Sequence, residues 1–381
     1  MDKAAMDKAA IIGVGQTRYE RNKDETFAEL VFEAVTAALT DAGGSIEDID
    51  NVITVSNDFW DGRTISSMAV MDAAGAWDKD VSTVEGDGTF GAIYGMMRAL
   101  SGSFDTTLVV AHVKGSEGNM NLITNGMFDP IYQRSLGIDA TTSAALQARC
   151  YMQKSGATEE DFARVSVKNH KNGLNNPYAQ LGMDITVEDV LASRKIAEPL
   201  KLYDCSPISD GAAAIVIANA NGVRRFKQNP VWIRGVGYCS DSYTLGYRDL
   251  AEPRSLKAAS RKAYQMAGLT DPFKELDVVE LYDAYSYMEP LWYEGLGLAV
   301  NGVDLVRSGD TLPEGPLPVN PSGGVLSAHP VLVAGMARLI EAVLQVRGDA
   351  GAHQVQGTKT ALAHGINGPC GQSHGVFVVG A

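Results

Sequence analysis

Val84–Leu100 reads VEGDGTFGAIYGMMRAL. Apolar residues run up to Val84, glycines at 86 and 88 mark a turn, and a helical pattern continues from Gly88. Asp87 stands where a capping carboxylate is expected, and Glu85 flanks the same turn. Gly88 then opens a helix, with backbone N–H groups and the positive end of the helix dipole facing whatever lies beyond the turn. A second stretch, Gly335-Met336-Ala337-Arg338, echoes Gly95-Met96-Met97-Arg98, and each is read as lying about seven residues into a helix opened by a glycine-rich turn. The echo points to an internally duplicated fold in which two helices meet at the centre.

Outward from this segment, short apolar β-rich runs alternate with helical patterns, which is the signature of an α/β fold. Strands are expected at Ala9–Gly15, Asn51–Ser56, Thr106–Val113 and Ala212–Ala218, then at Val231–Val236, Asp277–Leu281, Lys359–Ala363 and Val376–Val379. Thr26–Ala42 carries Phe27, Leu30, Val31, Ala34, Val35 and Ala38 at helical spacing, with Thr26 and Glu29 forming a capping box. Leu256–Ala267 and His329–Val346 read as further helices. The division expected is a first half over 9–225, a second half over 229–381, and an insertion at 114–200. That insertion is polar, rich in Met, Asn and Gly, and holds two helical patterns near Ala140–Ser155 and Glu159–Asn172.

The chain has 381 residues, 45% of them hydrophobic, enough for a large core in two or three packed units. A net charge of −14 argues against a nucleic-acid partner. A phosphate-bearing ligand needs only a local basic cluster or a helix N-terminus, so it stays open. The four cysteines are widely spaced with no CxxC pair, which argues against a metal in this chain. Few cysteines and no signal peptide suit the cytoplasm, and no apolar run is long enough for a membrane span. The opening MDKAAMDKAA repeats five residues and is read as a duplicated start.

Three motifs carry a family resemblance. DCSPISDGAAAIVI (Asp204–Ile217) resembles the stretch that closes the loop domain in thiolases of the sterol-carrier and archaeal type. NPSGGVLSAHP (Asn320–Pro330) resembles their NPSGG…GHP block, and VVELYDAY (Val278–Tyr285) takes the place of their strand ending in HDCF or NEAF. In the same frame VEGDGTFG matches the thiolase nucleophile turn, with Gly88 where the acylated cysteine stands. The resemblance runs from about Ile11 to the C-terminus. It implies a thiolase fold of two pseudo-repeated α/β halves in an αβαβα layered core, with an inserted loop domain.

The resemblance also nominates residues. His329, with Pro330 read as a first helical residue, matches the histidine that polarises a thioester oxygen. Tyr282 replaces the family's Asn or His at the oxyanion hole, as in bacterial steroid side-chain aldolases, which also lack the nucleophilic cysteine. In HGINGPCGQSHG (His364–Gly375), either Cys370 or His364 aligns with the acid/base on the substrate α-carbon, and His374 is a third titratable group of the loop. The Gly88 and Gly371 amides are candidate oxyanion donors. Lys168 and His170, in the basic VKNHKNG stretch, and Ser327 are placed near coenzyme A by the resemblance. Asp283 and Tyr285 are expected to shape the turn, and His112 and His353 to be structural. Trp60, Phe59, Tyr287 and Trp292 hint at a roomy apolar pocket. Gly13-Val14-Gly15 lacks the third glycine of a dinucleotide fingerprint and is discounted.

The function implied is a thiolase-like enzyme that makes or breaks a C–C bond of a β-ketoacyl-CoA. Either coenzyme A attacks directly or Cys370 serves as nucleophile. A homodimer core and a small zinc-finger/OB-fold partner are implied by the partner-dependent thiolases of the benzoylsuccinyl-CoA type. Two alternatives stand beside it: a retro-aldolase on a β-hydroxyacyl-CoA, and a catalytically silent subunit that binds acyl-CoA or scaffolds a partner.

Overall fold

A computed structural model describes residues 9–226 and 229–381, so most of the MDKAA repeat lies outside the described residues. Strand β1 (Ala9–Gln16) is buried along its whole length and is followed by helix α1 (Phe27–Ala42). Thr26 caps α1 and Glu29 completes the box from the other side. Next come β2 (Asn51–Val55), β3 (Asp80–Val84), α2 (Gly88–Ala99) and β4 (Thr106–Lys114). The chain then leaves the sheet, carrying α3 (Ala140–Ser155) and α4 (Glu159–Gly173), and returns as β5 (Asp210–Asn219). The remainder supplies β6 (Val231–Ser240), α5 (Arg254–Ala267), β7 (Val278–Glu280), α6 (Met288–Gly295), α7 (Ala334–Arg347), β8 (Thr360–Asn367) and β9 (Ser373–Gly380).

The nine strands join in the order β3-β2-β4-β5-β1-β6-β9-β8-β7. The two halves meet where β1 pairs with β6 through Ala10↔Trp232 and Ile11↔Val231. On one side of that seam the run is antiparallel out to β4 and parallel beyond it; on the other it is antiparallel out to β8 and parallel to β7. Helices α1 and α5 cover the outer faces of their half-sheets, while α2 and α7 pack against each other between them. The result is the expected five-layer α/β core.

The approach of the outer helices is set by a repeated Gly-Val-Gly. A Cβ at Gly13 or Gly15 would lie 2.3 Å from the carbonyl oxygen of Ala38 or Ala34 in α1. A Cβ at Gly235 or Gly237 would lie 2.1 or 1.9 Å from those of Ala263 and Ala259 in α5. The tripeptide that resembles a truncated dinucleotide fingerprint is thus a helix–strand contact device, present once in each half.

One helix begins later than its sequence pattern suggests. His329-Pro330 lies in irregular backbone and residues 331–333 form a turn, so α7 starts only at Ala334. Gly335 is therefore the second residue of its helix, whereas Gly95 is the eighth of α2. No helix among the described residues is long and apolar enough to cross a membrane.

Candidate active site

A cavity of about 580 Å³ opens between the start of α2, the loop after β8, the region around α3, and the segment that follows β7. Its walls include Asp87, Ser206, Tyr282, His329 and Cys370, with Trp60, Met120, Met288 and Leu332 supplying apolar surface. Of the four aromatic residues expected to shape a pocket, only Trp60 lines it. Phe59 faces solvent, and Tyr287 and Trp292 are buried in the core.

Tyr282 lies two residues past the end of β7 and is held by its backbone. Its carbonyl accepts the Trp292 indole N–H at 2.9 Å, and its N–H reaches His364 Nδ1 at 3.4 Å. The phenol oxygen then sits 2.7 Å from His329 Nε2, and Ser206 Oγ sits 2.7 Å from His329 Nδ1. His329 is fixed from its own backbone by an N–H donated to Ser209 Oγ at 2.9 Å. Burial pushes the His329 imidazole down to about 4 and the Tyr282 phenol well above its usual range, with the Asp87 carboxyl adding to the latter. Both groups are therefore neutral near pH 7. Ser206 lies inside the Asp204–Ile217 motif, yet nothing in the sequence singles it out: its role depends on a histidine 123 positions away.

The start of α2 differs from the expectation for an oxyanion hole. Gly88 N–H is donated to the Leu332 carbonyl at 2.8 Å. Thr89 N–H and Gly335 N–H are both donated to Asp87, to Oδ1 and Oδ2, each at 2.8 Å. One buried carboxyl thus ties together the starts of α2 and α7, and burial raises it to about 6 despite these donors. The Gly88 amide is spent inside the protein because the turn at 331–333 delivers a carbonyl to it. The space for a side chain is also taken: a Cβ on Gly88 would lie 2.6 Å from Met336 Cβ.

Cys370 lines the cavity in a left-handed backbone conformation, φ 54°. Arg248 holds its loop by donating to the Pro369 and Cys370 carbonyls at 2.9 and 2.6 Å, and Gln147 adds a third donor at 3.2 Å. Burial among Phe128 and Leu245 pushes the thiol up to about 11. It is protonated near neutral pH, which runs against the expectation of an activated thiolate.

His364 and His374 stand behind the cavity wall. Because the Tyr282 amide can only donate, His364 carries its proton on Nε2 and gives it to His374 Nδ1 at 2.8 Å. Trp292 packs edge-on against both rings. Burial drives His364 down to about 3 and His374 well below the ordinary range. Gly371 leaves room for His374: a Cβ there would lie 2.8 Å from His374 Nε2. Neither histidine nor Gly371 borders the cavity.

Neither Lys168 and His170, both on α4, nor Ser327 lines this cavity. The Lys168 ammonium is occupied by Glu289 at 2.5 Å and the Val319 carbonyl at 2.9 Å; Ser327 Oγ donates to the Gly324 carbonyl, and His170 is buried. Lys168 instead borders a separate cleft of about 350 Å³. Asp283 accepts N–H groups from Asn169 and Val325, and Tyr285 lines the cavity with its hydroxyl 3.0 Å from Thr141. His112 pairs with Asp61 at 3.1 Å and His353 with Glu341 at 2.8 Å.

Two family models match the chain, the N-terminal domain of thiolase over residues 9–221 and a thiolase C-terminal domain-like model over 237–381. An acetyl-CoA acetyltransferase of Methanothermobacter thermautotrophicus is 34% identical, covering 96% of this chain and 98% of that protein. A 17-hydroxy-3-oxo-4-pregnene-20-carboxyl-CoA lyase of Mycobacterium tuberculosis is 33% identical over 90% of this chain and 92% of its own length. A benzoylsuccinyl-CoA thiolase subunit, BbsB of Thauera aromatica, is 34% identical over 61% of this chain and 62% of that one. Among solved structures, the Ltp2-ChsH2(DUF35) aldolase superposes with a TM-score of 0.85 at 28% identity, covering 98% of each chain. The chain belongs to the thiolase superfamily and is a thiolase-like enzyme.

Proposed function

We propose that this enzyme cleaves a β-hydroxyacyl-CoA by retro-aldol chemistry, giving a ketone or aldehyde and a shortened acyl-CoA, and runs the reverse addition. The observation that carries the reading is the packing at position 88. Acyl transfer through an enzyme-bound thioester needs a nucleophile, and Met336 fills the space such a side chain would occupy. The Cys370 thiol, held protonated by burial, is a poor substitute. Aldol cleavage needs no acyl-enzyme. It needs a base for the β-hydroxyl proton and a place for the enolate.

Tyr282 takes the β-hydroxyl proton while passing its own to His329, so no buried group has to start ionised. The O–H electrons form the new C=O, the Cα–Cβ bond breaks, and its electrons move onto the thioester as an enolate. Protonation at the α-carbon completes the product. The lyase and aldolase relatives support this reading; the acetyltransferase and BbsB relatives support acyl transfer to coenzyme A as the second reading. A partner subunit is supported by the aldolase neighbour, a two-component protein by its name. A homodimer core is supported by β3, an edge strand largely left open to solvent.

The test is product analysis. A β-hydroxyacyl-CoA should yield a free carbonyl compound with no consumption of coenzyme A, and Cys370→Ala should keep this activity within about threefold. Consumption of free coenzyme A with a β-ketoacyl-CoA, and no carbonyl release from the hydroxy substrate, would establish the thiolase reading instead.

A further inference from the structure

Three helix-start N–H groups at this site are already occupied: Gly88 by Leu332, Thr89 and Gly335 by Asp87. An enolate formed here needs another donor. The hydrogen-bond lengths around His329 indicate which. Tyr282 Oη has two acceptors within reach, His329 Nε2 at 2.7 Å and the Val331 carbonyl at 3.4 Å. The shorter contact takes the phenol proton. Nε2 then accepts, and a neutral imidazole must carry its hydrogen on Nδ1. Nδ1–H donates to Ser206 Oγ at 2.7 Å, so the serine oxygen is already an acceptor and its own O–H is free. Ser206 lines the cavity, and its backbone N–H is anchored to the Ala284 carbonyl at 3.0 Å, two residues past Tyr282.

We infer that Ser206 is the third member of a neutral proton relay, Tyr282–His329–Ser206, with its hydroxyl serving as the donor to the thioester oxygen of the substrate. This rests on the aldol reading. In the forward step the β-hydroxyl O–H bond breaks and a new phenol O–H forms. The phenol's former proton moves to His329 Nε2, the Nδ1 proton moves to Ser206 Oγ, and the serine's former proton moves to the enolate oxygen. The O–H electrons become the carbonyl π bond, and the Cα–Cβ electrons become the C=C of an enol thioester. The enol ketonises as the relay runs back: its O–H proton goes to Ser206, the serine's proton to His329 Nδ1 and the Nε2 proton to Tyr282, while the proton the phenol took from the substrate is delivered to the α-carbon. One proton enters and one leaves, so no ion is created in a site where burial disfavours a charged imidazole and a charged phenolate alike.

The experiment combines spectroscopy and kinetics on the full chain. The protein has six histidines, so ¹⁵N imidazole spectra are tractable, with His329→Gln assigning the signal. The resting enzyme should show His329 protonated at Nδ1 and bare at Nε2, and Ser206→Ala should shift that balance toward Nε2–H. With a β-hydroxyacyl-CoA, Ser206→Ala should lower kcat about 10- to 100-fold with KM within threefold, and Ser206→Thr, which keeps the hydroxyl, should recover most of it. An Nε2–H resting tautomer, or a Ser206→Ala enzyme retaining kcat within twofold, overturns the relay. A wild-type enzyme that turns over no β-hydroxyacyl-CoA overturns the reaction reading, and the tautomer measurement still decides the wiring on its own.

Discussion

The two halves of the molecule share short phrases of sequence and use them differently. Gly-Val-Gly on β1 and on β6 does one job twice, bringing the backbone of α1 or α5 against its strand. The Gly-Met-x-Arg phrase diverges. Arg98, on α2, is half-exposed, with its guanidinium 4.3 Å from the Phe104 ring centre and its Nε 3.3 Å from Asn51. Arg338, on α7, is buried, donating to Glu280 at 2.7 Å and also to Ser322. Tyr282, His329, His364, Cys370 and His374 all come from the second half, whereas the first half offers a glycine, a capping carboxyl and Ser206. Packing geometry is needed by every copy of a repeat. Chemistry is needed once, and it settles where buried polar groups are already supported.

The contrast can be broken most directly at the relay. Tyr282→Phe or His329→Ala should lower kcat/KM for a β-hydroxyacyl-CoA about 10²- to 10⁴-fold in steady-state assays. Activity surviving both changes would remove the second half's claim to the chemistry. The arginines come next. Arg338→Met leaves Glu280 buried without its partner and should cost about 3–5 kcal/mol in urea unfolding, while Arg98→Met should cost about 1 kcal/mol or less. Equal losses would mean that the two phrases are interchangeable.

Acid gives a third test. The folded values of His329 and His364 lie near 4 and 3, below the ordinary unfolded value of about 6.5. The unfolded chain therefore takes up protons first as pH falls. Stability from these groups is full above about pH 6.5 and is lost progressively down to about pH 4 for His329 and about pH 3 for His364, by about 2 kcal/mol for each histidine at pH 5. A His364→Asn enzyme should show a shallower loss between pH 7 and 5, read from melting temperatures. The last test is at the turn itself. Gly88→Cys should destabilise by about 1–3 kcal/mol through its clash with Met336, and adding Met336→Ala should recover part of that. Intact-mass spectra of Gly88→Cys incubated with acyl-CoA should show no acyl adduct; an adduct would mean the first half keeps more of the thiolase reaction than its packing implies.

Much of the architecture was legible in the sequence. The apolar runs of β1, β4 and β5 are buried end to end, and the Thr26–Glu29 box sits where its spacing places it. His329 and Tyr282 were legible as candidates because their motifs are distinctive. The late start of α7 was not, since Pro330 fits a first helical turn equally well and only the carbonyl demand of Gly88 explains the turn at 331–333. The Gly-Val-Gly repeat was visible as text but silent as physics, because a close backbone approach exists only once the helix is in place. His364 and His374 read as active groups, since titratable residues in a glycine-rich loop carry no mark of which side of a wall they face. That the helix-start N–H groups are already used is likewise a property of distant partners, Leu332 and Asp87, that no local pattern announces.

Met336 bears on descent as well as on packing. On the proposed reading, a sulfur introduced at position 88 by a single change would meet a fully buried thioether chain anchored on the opposite helix. Two coordinated replacements would be needed, the first of them giving no catalytic return. Under the proposed aldol reading that packing would act as a ratchet, leaving selection to refine the tyrosine and the histidine.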